Sequence, residues 1–64
     1  MINGYGKRLN TLRLAKGYSM QDVCSATGIS ASSLSAYEAE QRIPRDEIKV
    51  RLAKFYNTAI SELF

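Results

Sequence analysis

Histidine is absent from this chain of 64 residues, and cysteine and proline each occur only once. Without histidine, a zinc site of the usual Cys/His type cannot be assembled within one chain, and catalytic triads and Cys–His pairs lack their base. A single cysteine excludes a disulfide-stapled fold. No apolar run exceeds two residues, which argues against a signal peptide and a membrane span. We therefore expect a small, soluble, intracellular binding module that is not an enzyme and holds no metal or cofactor.

The net charge of +3 is distributed unevenly along the chain. Residues 1–18 contain four basic residues and no acidic ones, whereas residues 19–40 contain three acidic residues and no basic ones. Residues 41–64 are again basic, with five basic residues against three acidic ones. A basic chain indicates an anionic partner, but the acidic middle block argues against a continuous basic stripe.

The spacing of apolar residues and of capping residues predicts five short helices in one domain, 1–64. The helices are expected at about 5–16, 20–27, 31–38, 46–56 and 59–64. Ser19 and Ser30 are predicted N-caps, and Gly17 and Gly28 suit the left-handed position that ends a helix. Segment 48–52 alternates like a strand, but the acidic residues just before it favour a helix start.

The expected core consists mainly of the apolar stripes of these helices. Its predicted members are Leu9, Leu12, Val23, Ile29, Leu34, Tyr37, Leu52 and Tyr56. Ala15 lies on the stripe of the first helix, and the last turn is expected to close the core with Ile60, Leu63 and Phe64. The tyrosine hydroxyls are expected at the core edge. Cys24 is expected to be a small buried residue and not a reactive thiol.

The middle of the chain has two short helices that meet across the turn 28–30, an arrangement typical of a helix-turn-helix. With this turn, GIS, the stretches GKRLNTLRLAKGYS, YEAEQRIP and LAKFYNTAISELF resemble the phage repressor and Cro type of helix-turn-helix family. The resemblance extends from Gly6 to Phe64. It implies a compact all-α bundle of the lambda repressor kind, with the helix-turn-helix at about 19–38.

The function that the resemblance implies is that of a cytoplasmic, DNA-binding transcriptional regulator of phage, prophage or mobile-element type. Such a protein binds operator DNA as a homodimer, with its third helix in the major groove. A second hypothesis is a helix-turn-helix module that binds and modulates another regulator protein. The absence of basic residues from 19 to 40 favours this alternative.

The resemblance also assigns expected DNA contacts to individual residues. Those on and near the third helix are Ser30, Ala31, Ser32, Ser33, Ser35 and Ala36. Those near the DNA backbone are Ser19, Gln21, Gln41, Arg42 and Arg45. Arg13 and Glu38 correspond to a structural ion pair of the family.

Two departures from the family pattern weaken these expectations. Met20 stands where the family usually has a glutamine that contacts a phosphate, and Gln21 is one residue later. The third helix contains no Arg, Gln or Asn, the side chains that make bidentate contacts with bases. Base discrimination is therefore expected to be weak or to depend on DNA shape. The alternative interpretation is that the small residues of the third helix and the two loop arginines form an ordinary solvated surface.

Overall fold

The computed structural model describes residues 4–64, which form five α-helices and no β-strand. The helices are α1 (Tyr5–Ala15), α2 (Met20–Thr27), α3 (Ala31–Glu38), α4 (Asp46–Phe55) and α5 (Ile60–Leu63). The prediction of an all-α fold with five short helices is confirmed. The first three residues of the predicted domain lie outside the described range.

Local hydrogen bonds at the helix ends explain why α2 and α3 begin and end where they do. Ser19 Oγ accepts the Asp22 N–H at 3.1 Å, and Asp22 Oδ2 accepts the Ser19 N–H at 2.9 Å, which completes a capping box. Ser30 Oγ accepts the Ser33 N–H at 3.2 Å. Gly28 ends α2 with φ of 75°, a left-handed conformation that a residue with a Cβ adopts at a cost. These short-range interactions determine the turn between the two helices.

The core lies between the helices, where α1 packs on α3 and α5, α2 packs on α3 and α4, and α4 packs on α5. Its fully buried large side chains are Leu9, Leu34, Leu52, Leu63 and Val23. The remaining buried apolar residues with side chains are Tyr5, Ile29, Tyr37, Pro44, Ala53 and Tyr56. Because α1 and α2 both pack against the inner side of α3, its outer side faces solvent.

Segment 48–52 is helical, because the start signals before it outweigh its alternating pattern. Within α4, Leu52 is buried and Ile48, four residues earlier on the same face, is half-buried. Val50 would share that face in a strand, but it is 37% exposed in the helix.

Some burial predictions were wrong. Leu12 is only partly buried against the core, and Ala15 is exposed in the last turn of α1. Ile60 is 41% exposed, because α5 is a single turn whose buried side chain is Leu63. Cys24 is half-buried.

The Tyr56 hydroxyl is another departure from expectation, since it lies inside the core and not at its edge. The residue is 3% exposed, and the hydroxyl makes no hydrogen bond with the described part of the chain. Burial, followed by the negative charge of Glu38, raises the pKa of Tyr56 to about 12.

Helices α1 and α3 cross at Gly6, where the two backbones touch. A Cβ at Gly6 would overlap the carbonyl oxygen of Glu38. Absence of a side chain at this position thus permits the close approach of the two helices. Within residues 4–64, no helix combines the length and the apolar character needed to cross a bilayer.

Candidate nucleic-acid interface

The outer face of α3 presents small side chains. Leu34 and Tyr37 turn inward, at 0% and 5% exposure. The residues predicted near base edges lie on the other side, with Ala31, Ser32 and Ser35 exposed and Ser33 and Ala36 half-buried. None of these side chains is larger than serine, so the helix backbone is open to close approach by a partner.

The two capping serines, both predicted DNA contacts, are already acceptors within the protein. Ser30 Oγ also lies 3.4 Å from Ser32 Oγ. Each hydroxyl retains a proton that it can donate to an acceptor such as a phosphate oxygen. The N-terminus of α2 is only partly open to an anion, because the Asp22 carboxylate binds the Ser19 N–H there.

Arg42 brings a positive charge to the face of α3. Its Nη1 donates to Ser33 Oγ at 3.4 Å, and its guanidinium carbon lies 5.8 Å from the centre of the Tyr37 ring. Arg42 as a whole is exposed, so its remaining N–H groups are available to an anionic partner. Arg42, a predicted contact to the DNA backbone, therefore lies against α3, the helix predicted to enter the major groove.

The other predicted backbone contacts are exposed but separate. Gln41 and Arg45 lie in the same loop with exposed side chains, and Arg45 is also the N-cap residue of α4. Gln21 Nε2 donates to Ser25 Oγ at 3.2 Å, within α2 itself. Among the described residues, no hydrogen bond connects the side chains of these residues to the outer face of α3.

The loop that carries Arg42 is attached to the first turn of α1. The Tyr5 hydroxyl donates to the Arg42 carbonyl at 2.8 Å, and the Gly6 N–H donates to Glu40 Oε2 at 3.1 Å. Burial, followed by the charge of Glu40, raises the pKa of the Tyr5 hydroxyl, which keeps it protonated as a donor. No sequence pattern predicts this attachment, because the groups are far apart in the chain and one of them is a backbone carbonyl.

The pair Arg13 and Glu38, predicted from the resemblance, is in contact and forms the centre of a larger network. Arg13 Nε lies 2.9 Å from Glu38 Oε2, Nη2 lies 3.2 Å from Oε1, and the side chains are 13% and 8% exposed. Asn10 Nδ2 donates to Glu38 Oε1 at 2.9 Å, and Arg13 Nη1 donates to the Tyr18 carbonyl at 3.1 Å. The hydrogen bond to Glu38 raises the pKa of Arg13. Asn10 could have been found from the sequence, since it precedes Arg13 by one helical turn.

All three acidic residues of the middle block accept hydrogen bonds from within the protein. Asp22 caps α2, Glu38 binds Arg13 and Asn10, and Glu40 binds the Gly6 amide. The negative charge of residues 19–40 therefore lies at the cap of α2 and against α1, not on the outer face of α3. An anion approaching that face meets the guanidinium of Arg42 and small neutral side chains.

Comparison with known proteins connects this geometry to a family. A family model described as helix-turn-helix matches residues 9–63. The restriction-modification controller protein C.AhdI from Aeromonas hydrophila has a similar structure, with a TM-score of 0.86 and 32% sequence identity. That match covers 94% of this chain and 91% of C.AhdI.

Two curated relatives extend the similarity. The transcriptional repressor RstR of the cryptic phage CTXphi from Vibrio cholerae is 29% identical over 59 residues, which are 92% of this chain and 53% of RstR. A Pyrococcus abyssi protein whose name places it among HTH-type transcriptional regulatory proteins is 34% identical over 55 residues. That alignment covers 86% of this chain and 17% of the Pyrococcus protein. The chain thus spans about half of one relative and a small part of the other.

Proposed function

This chain belongs to the helix-turn-helix family, of the Cro/C1 type, and from that premise we propose that it binds operator DNA and regulates transcription. The proposed regulator is of phage, prophage or mobile-element type and acts in the cytoplasm, where its DNA target lies. The observation that carries the proposal is the outer face of α3, which is exposed, free of acidic side chains and flanked by the guanidinium of Arg42. Its similarity to a phage repressor and to a restriction-modification controller supports the same function.

In this proposal α3 lies in the major groove. Ala31 and Ala36 can contact thymine methyl groups, and the Ser32 hydroxyl can donate to or accept from any base. Since α3 offers no bidentate base contact, the preferred operator depends in large part on DNA shape and deformability. We expect binding to many related duplexes with graded affinity.

The DNA backbone is the proposed target of the flanking polar groups. Arg42 and Arg45 in the loop after α3 neutralise phosphates, with Gln41 between α3 and Arg42 as a neutral donor. Ser19 and Gln21 reach the DNA backbone from the start of α2. The N–H groups at this helix end attract a phosphate less strongly than they would without the Asp22 carboxylate. These contacts determine affinity and register more than sequence preference.

The proposed assembly on DNA is a homodimer. Proteins that dock a helix-turn-helix in the major groove commonly bind two half-sites one helical turn apart, so that each copy reads one half. The preferred duplex should then contain an inverted repeat with that spacing.

The experiment begins with selection of bound sequences from a random duplex pool. The enriched duplex is titrated with the wild type, Arg42→Ala and Arg45→Ala at several salt concentrations. Each arginine variant should bind all sequences more weakly, with a slope of log affinity against log salt reduced by about 0.9. Lys54→Ala is the matched control, because it removes an exposed cation from α4 and should leave the slope unchanged.

The outcomes separate DNA binding from the alternative of a protein-interaction module. If the pool yields no enriched duplex from a folded protein, DNA is not the target. A complex with the regulator encoded next to it would then support the alternative. Equal salt slopes for wild type and both arginine variants would mean that Arg42 and Arg45 contact no phosphate and are ordinary solvated charges.

A further inference from the structure

The loop between α3 and α4 is held to the rest of the protein at few points. Its first part continues from α3, with the Glu40 N–H bound to the Tyr37 carbonyl at 3.1 Å and the Gln41 N–H to the Ala36 carbonyl at 2.9 Å. Beyond Gln41 these helix-like bonds stop. Among the described residues, the backbone of 42–44 makes one hydrogen bond, which the Arg42 carbonyl accepts from the Tyr5 hydroxyl. The Arg42 backbone is therefore held by the hydroxyl of Tyr5 and, two residues later, by the packing of the buried Pro44.

Tyr5 is a rigid donor for this bond. Its side chain is 5% exposed, and its ring lies 5.7 Å from the ring of Phe64, centre to centre. Core packing thus determines where the hydroxyl points, and the next residue, Gly6, holds Glu40 in the same loop. Two adjacent residues at the start of α1 secure the segment that precedes and includes Arg42.

The side chain of Arg42 is oriented by α3 in turn. Its guanidinium group lies over the Tyr37 ring and beside Ser33, although the residue as a whole is exposed. An arginine that already occupies one place loses less conformational freedom when it binds a partner than one that moves freely. The backbone bond from Tyr5 and the contacts of the Arg42 side chain with Tyr37 and Ser33 thus fix the same residue from two sides.

We propose that the Tyr5 hydroxyl is a positioning residue of the nucleic-acid interface and acts through Arg42. The inference rests on the proposed function, since it concerns how the same interface is organised. Tyr5 itself contacts no DNA. Without its hydroxyl, the backbone at Arg42 loses the one hydrogen bond that fixes it ahead of the buried Pro44, and Arg42 must be ordered at the moment of binding, which weakens DNA affinity by about two- to tenfold.

Tyr5→Phe tests the proposal, because it keeps the ring in the core and removes only the donor. On the selected duplex, Tyr5→Phe should lower the affinity by about two- to tenfold and leave the salt slope at the wild-type value, because Arg42 still neutralises its phosphate in the complex. Tyr56→Phe is the matched control, since it removes a buried hydroxyl that does not touch the loop. It should bind DNA like the wild type. Melting temperatures show that each variant is folded at the assay temperature.

A double-mutant cycle distinguishes positioning from a general structural effect. In an Arg42→Ala background, Tyr5→Phe should have no further effect on DNA affinity. In an Arg45→Ala background, its full effect should remain. The same loss in both backgrounds, or unchanged affinity for a folded Tyr5→Phe, would overturn the proposal.

Two further results complete the test. If Tyr5→Phe does not fold, the free wild-type protein is examined by NMR for a slowly exchanging Tyr5 hydroxyl proton close to the Ile43 amide. Its presence supports the proposal, and its absence contradicts it. Failure of the wild type to bind any duplex would refute the proposed function itself. A wild type that binds DNA, with a Tyr5→Phe variant that binds equally well, would refute only the role of Tyr5.

Discussion

Replacement of Glu38 by alanine removes the acceptor at the centre of the network between α1 and α3. The variant leaves the Arg13 guanidinium and the Asn10 amide without the carboxylate that both of them bind. Arg13 would keep its bond to the Tyr18 carbonyl, so its charge would be only partly compensated. Because Glu38 is the last residue of α3, the change also removes the side-chain link between that end of the helix and α1, while the backbone contact at Gly6 remains.

The magnitude follows from the burial of the pair. Removal of one partner from a buried ion pair costs about 3–5 kcal/mol, whereas an exposed pair contributes about 0–1 kcal/mol. The side chains of Arg13 and Glu38 are 13% and 8% exposed, so the pair is largely removed from water. We expect the free energy of unfolding to fall by about 2–4 kcal/mol. For a chain of 64 residues, total stability is roughly 3–10 kcal/mol, so the variant should be close to its unfolding threshold.

Urea unfolding followed by circular dichroism measures this difference. Glu62→Ala serves as the matched control, because Glu62 is exposed on α5 and its removal should change stability by no more than about 0.5 kcal/mol. A cycle with Arg13→Ala should show a coupling energy of about 1–3 kcal/mol. Equal stability losses for Glu38→Ala and Glu62→Ala would refute the reasoning, since the network would then contribute no more than a solvated charge.

Three other predictions concern the core, the α3 face and the buried tyrosine. Leu34→Ala should lower the free energy of unfolding by about 2–5 kcal/mol, and an unchanged melting temperature would mean that α3 is not docked through this side chain. Ser32→Glu places a negative charge on an exposed position, so DNA affinity should fall steeply while the melting temperature stays the same; unaltered affinity would remove α3 from the interface. Because the pKa of Tyr56 is raised to about 12, its linked stability is complete below its usual pKa near 10 and is lost as pH rises from there to 12. Wild type should lose about 2–3 kcal/mol more than Tyr56→Phe over that interval, and parallel pH profiles of the two proteins would contradict the buried position of the hydroxyl.

Local features were predictable because the groups that form them are close in sequence. The caps at Ser19 and Ser30 and the helix end at Gly28 each involve groups no more than four residues apart, so their chemistry does not depend on the rest of the fold. Apolar spacing was sufficient to place Leu9 and Leu34 in the core. It failed for Ile60, since helical spacing defines a face but not whether another helix covers that face.

The candidate site was only partly predictable, because several of its contacts join residues that are far apart in the sequence. The resemblance to a family indicated which residues of α3 and of the following loop face a partner, and it indicated the pair Arg13 and Glu38. It did not indicate that Asn10 shares the Glu38 carboxylate. Nor did it indicate that the acidic residues of the middle block would accept hydrogen bonds from within the protein. Their negative charge therefore lies away from the outer face of α3.

The five helices and the turn between α2 and α3 can be derived from the order of the residues, because they arise from hydrogen bonds and steric preferences of neighbouring residues. Which charges and donors act together depends on how the helices pack. The bond from Tyr5 to the Arg42 carbonyl joins residues 37 positions apart, and it exists because Gly6 lets α1 approach the end of α3 closely. A contact of this kind depends on the packing of two helices to within an ångström or so, and no local pattern of residues specifies that distance.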